Sequence, residues 1–165
     1  GTPGGAFAEY AAVPAEKVSK KDPNVSFENA AAVALVGTTA MQCLNLLKLS
    51  PGQRVLVLGG AGAVGNMAIQ IAKASGYKVY TTASARTKEY VEKAGPDGII
   101  NYTEEKWEES EEMKGIDGIF DAIGEKDGFE KAKKVVKEGG SFVTIANFDP
   151  QLADPTAHGP LFRHA

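Results

Sequence analysis

Residues 55–58, Val-Leu-Val-Leu, run without a break into Gly59-Gly60-Ala61-Gly62-Ala63-Val64-Gly65, and from there into a segment whose apolar residues Ala68, Ile69, Ile71 and Ala72 follow helical spacing. A glycine-rich turn between a buried strand and a helix is a strong local constraint, because the three parts have separate physical jobs. Within Gly60-x-Gly62-x-x-Gly65, one glycine permits the tight turn. A second lets backbone come close to a bound diphosphate, and Gly65 lets the helix pack hard against the strand. The N–H groups around Ala63 and Val64 open the helix, where unpaired donors and the positive end of the dipole suit an anion. Gly60, Ala61, Gly62, Ala63, Val64 and Gly65 are therefore the expected diphosphate cradle.

Downstream of this turn, short β-branched or apolar runs alternate with longer segments of helical period. That rhythm predicts an α/β Rossmann fold, a doubly wound parallel sheet with helices on both faces. Strands are expected at 54–58, 78–82, 98–101, 118–121 and 141–145, and helices at 64–75, 87–94, 106–113 and 129–137. Gly76, Gly95 and the Gly139-Gly140 pair are expected to stop helices. Upstream, 6–13 reads as a strand with no neighbour to pair with, 26–34 opens on the cap-like Ser26-x-Glu28, and 38–49 reads as a helix closed by Pro51-Gly52. Residues after 148, with Pro150, Pro155, Gly159 and Pro160, read as an irregular tail.

The end of the second strand discriminates between cofactors. A dinucleotide domain selective for NAD places an acidic side chain there to bind the ribose hydroxyls, roughly 20 residues past the glycine motif. Here no Asp or Glu occurs from residue 29 to residue 88, and the segment reads Thr82-Ala83-Ser84-Ala85-Arg86-Thr87-Lys88. A 2′-phosphate would be repelled by a carboxylate but is served by a hydroxyl and two cations. Ser84, Arg86 and Lys88 are the expected 2′-phosphate pocket, which makes NADP(H) the expected cofactor. Arg86 and Lys88 would look the same as ordinary solvated charges at a helix start. The glycine turn alone also leaves open an S-adenosylmethionine methyltransferase.

Composition narrows the remaining classes. A formal charge of −3 over 165 residues gives no basic surface for nucleic acid. Cys43 is the only cysteine, so no internal disulfide or cysteine-based zinc cluster forms within these residues, and a reducing, cytoplasmic setting fits. No sequence run approaches the roughly 18 apolar residues of a membrane span. Glu104, Glu105, Glu108, Glu109, Glu111 and Glu112 read as a solvated helix face anchored by Trp107, and His158 and His164 have no catalytic partner nearby in sequence. No metal ligand set and no catalytic residue emerge from spacing.

Several ordered motifs carry a resemblance: Gly5-Ala6-Phe7-Ala8-Glu9-Tyr10, Ala30-Ala31-Ala32, Gly37-Thr38-Thr39-Ala40, Pro51-Gly52-Gln53-Arg54-Val55-Leu56-Val57, the glycine turn, and Ile100-Asn101-Tyr102-Thr103. Together, over about residues 4 to 147, they resemble the medium-chain dehydrogenase/reductase superfamily, and within it the zinc-independent quinone oxidoreductase and enoyl reductase branch. The resemblance implies a GroES-like catalytic domain beside the Rossmann domain, with 1–34 as a short remnant of the former and hinge, 35–148 as the NADP-binding domain and 149–165 as the tail. It implies hydride transfer from NADPH to a quinone, enone or similar activated double bond of a small-molecule substrate. It also implies that Tyr102 and Lys88 lie against the 2′-phosphate and that Thr38 lies near the nicotinamide. Ala122-Ile123-Gly124 and Ile145-Ala146 are implied to line the nicotinamide ribose and carboxamide.

The cysteine ligand of the zinc-using branch falls at or near Ala34, where no ligand is available, and Cys43, among Leu44, Leu46 and Leu47, reads as a core residue. Pairing through the sheet edge is common in the superfamily, so a homodimer stays open. A binding or sensing module that retains NADP(H) without turnover is the second reading, and the methyltransferase is the third.

Overall fold

The computed structural model describes residues 7–146 and 162–164. Six parallel strands form one sheet: β1 (Arg54–Leu58), β2 (Lys78–Ala83), β3 (Gly98–Asn101), β4 (Ile116–Asp121), β5 (Val136–Thr144) and β6 (Phe162–His164). Their order is β3-β2-β1-β4-β5-β6. The chain therefore winds outward from β1 to β3 and returns to place β4 on the other side of β1. This reversal opens a crevice at the carboxyl ends of β1 and β4, where Leu58 is paired with Asp121.

Side-chain alternation along β1 explains why both faces are covered. Val55 and Val57 face one core cluster with Ala40, Cys43, Leu44 and Leu47 of α2 (Thr38–Leu47) and Ala68, Ile69 and Ala72 of α3 (Ala63–Ala74). Leu56 and Leu58 face the other, with Trp107, Met113 and Phe129. Two residues of opposite parity on one strand thus commit it to the middle of a three-layer domain.

The segment Phe27–Leu47 forms one helix of 21 residues, built from α1 (Phe27–Ala32), a wider π turn (Val33–Gly37) and α2. Ser26 caps it by accepting from the N–H of Asn29 at 3.2 Å. Contrary to the sequence reading, this helix is long and apolar enough by composition to cross a membrane, with a mean hydropathy of 1.6. Its α2 half is core: Ala40, Cys43, Leu44 and Leu47 are buried, whereas Phe27, Val33 and Leu35 are exposed.

Four expectations give way. Residues 7–13 form no strand and are exposed, consistent with the absence of a strand to pair with. The acidic stretch 106–113 is not one helix but two short 3₁₀ turns, Trp107–Glu109 and Glu111–Met113, separated by extended Ser110. A continuous helix would set Glu104, Glu105 and Glu108 against Glu108, Glu109 and Glu112 at i,i+4, and the broken form buries Trp107 and Met113 instead. The helix expected at 129–137 is α5 (Gly128–Ala132) alone, because Val135 and Val136 are drawn into the sheet: Ile116 N–H donates to Val135 at 3.0 Å and pairs in register with Val136. The chain then bulges before Ser141 rejoins β4 at Gly118, so Gly139-Gly140 interrupts a strand rather than stopping a helix. Finally, Phe162–His164, expected to be irregular, add the sixth strand beside β5. The rest of the stretch 149–165 lies outside the described residues. Of the helices expected at 64–75 and 87–94, α3 matches the first, and α4 (Lys88–Glu92), entered through a 3₁₀ turn at Ala85–Thr87, matches the second.

Candidate functional site

At the crevice, β1 is followed by Gly59, whose φ of +86° turns the chain toward α3. The N–H of Gly59 donates to Thr82 Oγ1 at 2.9 Å and that of Gly60 to the Thr82 carbonyl at 3.1 Å, which ties the turn to the end of β2. Gly59, outside the Gly60-x-Gly62-x-x-Gly65 frame, is thus the residue that makes the sharp turn. Gly65 packs so closely that a Cβ there would stand 2.2 Å from the Gly59 carbonyl oxygen. Gly62 precedes α3 in an extended conformation with no side-chain cap, and the first intrahelical bond runs from Asn66 N–H to Gly62 at 2.8 Å. The earlier N–H groups of the helix, those of Ala63, Val64 and Gly65, have no intrahelical acceptor and suit an anion.

A cleft of about 590 Å³ opens here, within the range of about 300–1,000 Å³ usual for small-molecule sites. Gly59, Ala61 and Gly62 form its floor, and Thr82, Ala83, Ser84, Arg86 and Thr87 form the wall that continues β2. Tyr102, beyond β3, and Ile123 and Glu125, beyond β4, close it together with Trp107. Among the described residues that line it, Arg86 is the one cation and Glu125 the one carboxylate. Ser84 and Thr87 hold each other: their hydroxyls are 3.1 Å apart and Thr87 Oγ1 accepts from the Ser84 N–H at 3.3 Å, in a reciprocal capping arrangement.

Of the residues expected in the 2′-phosphate pocket, Ser84, Arg86 and Tyr102 come together in this cleft, and Tyr102 is 60% exposed. Lys88 does not. It lines a neighbouring depression of about 220 Å³ with Asn101 and Glu104, sharing only Ala83 and Ser84 with the main cleft. Two residues on from Arg86 and already inside α4, it leaves on another face.

The residues expected at the nicotinamide end divide. Gly59 and Ile123 touch, since a Cβ on Gly59 would stand 2.3 Å from Ile123 Cγ2. Gly124 meets Ala146, whose carbonyl oxygen would be 2.7 Å from a Cβ at residue 124. Ala122 and Ile145 are held at the strand ends by N–H donation to Leu58 at 3.3 Å and to Asp121 at 3.2 Å. Ile123 lines the cleft, while Ala122, Gly124, Ile145 and Ala146 are not among its lining residues. Thr38 stands apart in a depression bounded by residues 16–22 of the N-terminal segment, and its hydroxyl donates to the Ala34 carbonyl at 2.8 Å.

The loop after β4 is shaped by Asp121, which is 1% exposed. Its Oδ1 accepts from the N–H groups of Ile123 and Gly124, both at 3.0 Å, and its Oδ2 accepts from Glu125 N–H at 3.2 Å and Thr144 Oγ1 at 3.0 Å. Burial raises the pKa of this carboxyl above the usual aspartate value, against the opposing pull of those donors. The loop in turn places Glu125, whose Oε2 accepts from Trp107 Nε1 at 2.7 Å while Oε1 is ion-paired with Lys131. Thr87, Trp107 and Glu125 were not among the expected site residues. The Ser84-x-x-Thr87 capping pattern was a readable signal for the first; the other two meet only through the tertiary fold.

The metal question can be put to the donor set. Among the described residues no three His, Cys, Asp or Glu side chains converge on one point, and Cys43 is buried among apolar side chains. These residues do not assemble a zinc site.

A six-stranded parallel sheet in this order, with a glycine turn and an uncapped helix start at its switch point, defines a dinucleotide-binding α/β domain. Comparison with known proteins then gives the family: residues 63–163 match the zinc-binding dehydrogenase family, and the chain belongs to it. It is 42% identical over 143 residues to a 2-methylene-furan-3-one reductase of Solanum lycopersicum, covering 86% of this chain and 36% of the relative. It is 41% identical over 143 residues, with the same coverage, to an NADPH-dependent alkenal/one oxidoreductase, chloroplastic, of Arabidopsis thaliana. The fold superposes on the quinone oxidoreductase from Coxiella burnetii with a TM-score of 0.76 and 32% identity, covering 88% of this chain and 45% of that one. The chain thus spans about a third to a half of the length of these relatives. The resemblance to quinone oxidoreductases and enoyl reductases read in the sequence agrees with them, and family membership sets aside the methyltransferase.

Proposed function

We propose that this chain is the cofactor-binding domain of an NADPH-dependent, zinc-independent oxidoreductase that reduces a quinone, enone or similar activated double bond. The carrying observation is the cleft at the end of β2, where Ser84 and Arg86 stand in the place of the ribose-binding carboxylate and Tyr102 faces them from the end of β3. The diphosphate lies over Gly62 and the first turn of α3, where backbone N–H groups and the helix dipole stabilise it. Arg86 pairs with the 2′-phosphate as a fork donor, and the Ser84–Thr87 couple adds hydroxyl donors. When bound, NADPH would supply the hydride; the domain's own contribution would be to hold the dinucleotide in a fixed position through the glycine turn, the start of α3 and the wall after β2. The named relatives, one NADPH-dependent and acting on alkenals or enones and one a quinone oxidoreductase, support the substrate class.

The test is a paired titration of NADPH and NADH with the wild-type chain and with Arg86→Ala. Loss of a bidentate phosphate contact should weaken NADPH by about 10- to 100-fold and leave NADH within about twofold. An equal loss for both cofactors refutes the 2′-phosphate assignment. Lys88→Ala should cost less than Arg86→Ala, since Lys88 lines the adjoining depression. Turnover of NADPH with a quinone or enone panel by a full-length protein carrying this domain separates the enzyme from a sensing module.

A further inference from the structure

The cofactor cleft contains a carboxylate that its phosphate chemistry does not explain. Glu125 lines the same cavity as Arg86 and the glycine turn, so it shares a site with a ligand read here as carrying several negative charges. It is also fixed: Trp107 Nε1 donates to Oε2 at 2.7 Å, Lys131 pairs with Oε1, and the Glu125 N–H is bound to Asp121. Lys131 does not neutralise the wall, because its ammonium is shared with Glu108 at 4.0 Å, leaving two carboxylates to one cation. Trp107 is 3% exposed and Glu125 retains 20% side-chain exposure. A carboxylate offers about four lone-pair sites, and these two protein partners use two of them.

Strand order says which part of a dinucleotide meets this wall. Arg86 and Ser84 follow β2, Glu125 follows β4, and β1 runs between, so the two walls stand roughly 10 Å apart at one strand spacing each. With the ribose 2′-phosphate at Arg86, the adenine bonded to that same ribose is the group that would reach the gap toward Tyr102, Ile123 and Trp107. Ile123, assigned from the sequence to the nicotinamide end, lines this same cavity and, 55% exposed, offers the base an apolar face instead.

We propose that Glu125 is the residue by which this cleft selects adenine: the carboxylate, held by Trp107 and Lys131, accepts a hydrogen bond from the exocyclic amino group of the base and repels a base carrying an oxygen there. The inference rests on the NADP(H) reading and deepens it by assigning base specificity to one side chain.

The experiment is calorimetric titration of the 165-residue chain with NADPH and with its reduced hypoxanthine counterpart, in which a carbonyl replaces the amino group. Wild type should prefer NADPH by about 10-fold, the effect of one hydrogen bond to a charged acceptor lost and one repulsion gained. In Glu125→Gln the preference should fall to within about twofold, because an amide can present either its oxygen or its NH₂ group. A purely structural glutamate would lower both affinities together and leave their ratio intact, so a preserved ratio in folded Glu125→Gln overturns the proposal. Equal binding of the two dinucleotides by wild type overturns it without any variant and leaves the cofactor reading standing. If wild type binds neither, the NADP(H) reading fails and the base assignment goes with it.

Discussion

Replacing Gly65 by Ala puts the strand–turn–helix argument at risk in one atom. The added Cβ would lie 2.2 Å from the Gly59 carbonyl oxygen and 2.8 Å from its carbon, both backbone atoms of the turn that ends β1. Neither can swing aside as a side-chain tip would, so α3 must withdraw from β1 by about 1 Å to restore an ordinary contact, a shift that forfeits a quarter to a half of each dispersion contact it opens. Ala68, Ile69 and Ala72 are the buried residues that α3 contributes, all fully covered, and they carry that loss. Adding the strain usual for overpacking gives a destabilisation of about 2–3 kcal/mol, or a fall in Tm of roughly 5–12 °C for a chain of this size. Gly62→Ala is the matched control: its Cβ would meet only the Gly59 oxygen at 3.4 Å, and its φ of −75° suits any residue. It should melt within about 2 °C of wild type while weakening NADPH by about 10-fold, since the methyl group stands where the diphosphate approaches the helix. Thermal unfolding followed by circular dichroism measures the first effect and calorimetric titration the second. Gly65→Ala melting like wild type, or Gly62→Ala melting as low as Gly65→Ala, would refute the assignment of packing to one glycine and ligand approach to the other.

Burial pushes the Cys43 thiol up to about 11, so at pH 8 only about one molecule in a thousand holds a thiolate; iodoacetamide should label the native chain hundreds of times more slowly than the urea-unfolded chain, and equal rates would show that α2 does not cover it. At Asp97, burial raises the carboxyl pKa, but hydrogen bonds from Lys73 at 2.8 Å and Val79 N–H at 2.6 Å outweigh it and hold the value below normal. A carboxylate depressed in the folded state stabilises above its unfolded value of 3.8 and loses that stability as pH falls through the folded value. Asp97→Asn should therefore cost about 1 kcal/mol at pH 7, after solvent screening of a partly exposed pair, and the difference from wild type should shrink in urea melts as pH falls below the unfolded value of 3.8. Asp121 has the opposite sign: its raised value means that folding is favoured on the acid side and that this contribution declines as pH rises above 3.8, so Asp121→Asn should flatten the decline in stability on the alkaline side of 3.8. Phe120→Ala, at the largest of the fully buried side chains, should cost about 3–5 kcal/mol in urea unfolding.

What could be read from the sequence was whatever is decided within a few residues. β1, its glycine turn and α3 were legible because the strand, the turn and the helix each carry their own period and meet end to end. The same locality made Ser84 and Arg86 legible as a substitute for a carboxylate, since only their distance past the glycine motif was needed. Where neighbours far along the chain decide, the reading failed for identifiable reasons. Val136 belongs to β5 because Ile116 lies beside it, and the Val135 carbonyl before it accepts from Ile116 N–H, which a helical pattern over 129–137 cannot reveal. Trp107 looked like an anchor for a helix, yet it donates its indole N–H to a carboxylate 18 residues away.

Lys88 shows the converse limit. Its spacing from Arg86 was right for a shared pocket in an extended segment, but α4 begins at Lys88 itself, and a helical turn sends the two side chains to different depressions. Charge type along the chain thus forecasts which ligand a site attracts, whereas the winding of the sheet decides which charges reach it. Arg86 follows β2 and Glu125 follows β4, and only the return of the chain across β1 puts the two on facing walls, so the proposed phosphate contact was open to sequence reasoning and the proposed base contact was not.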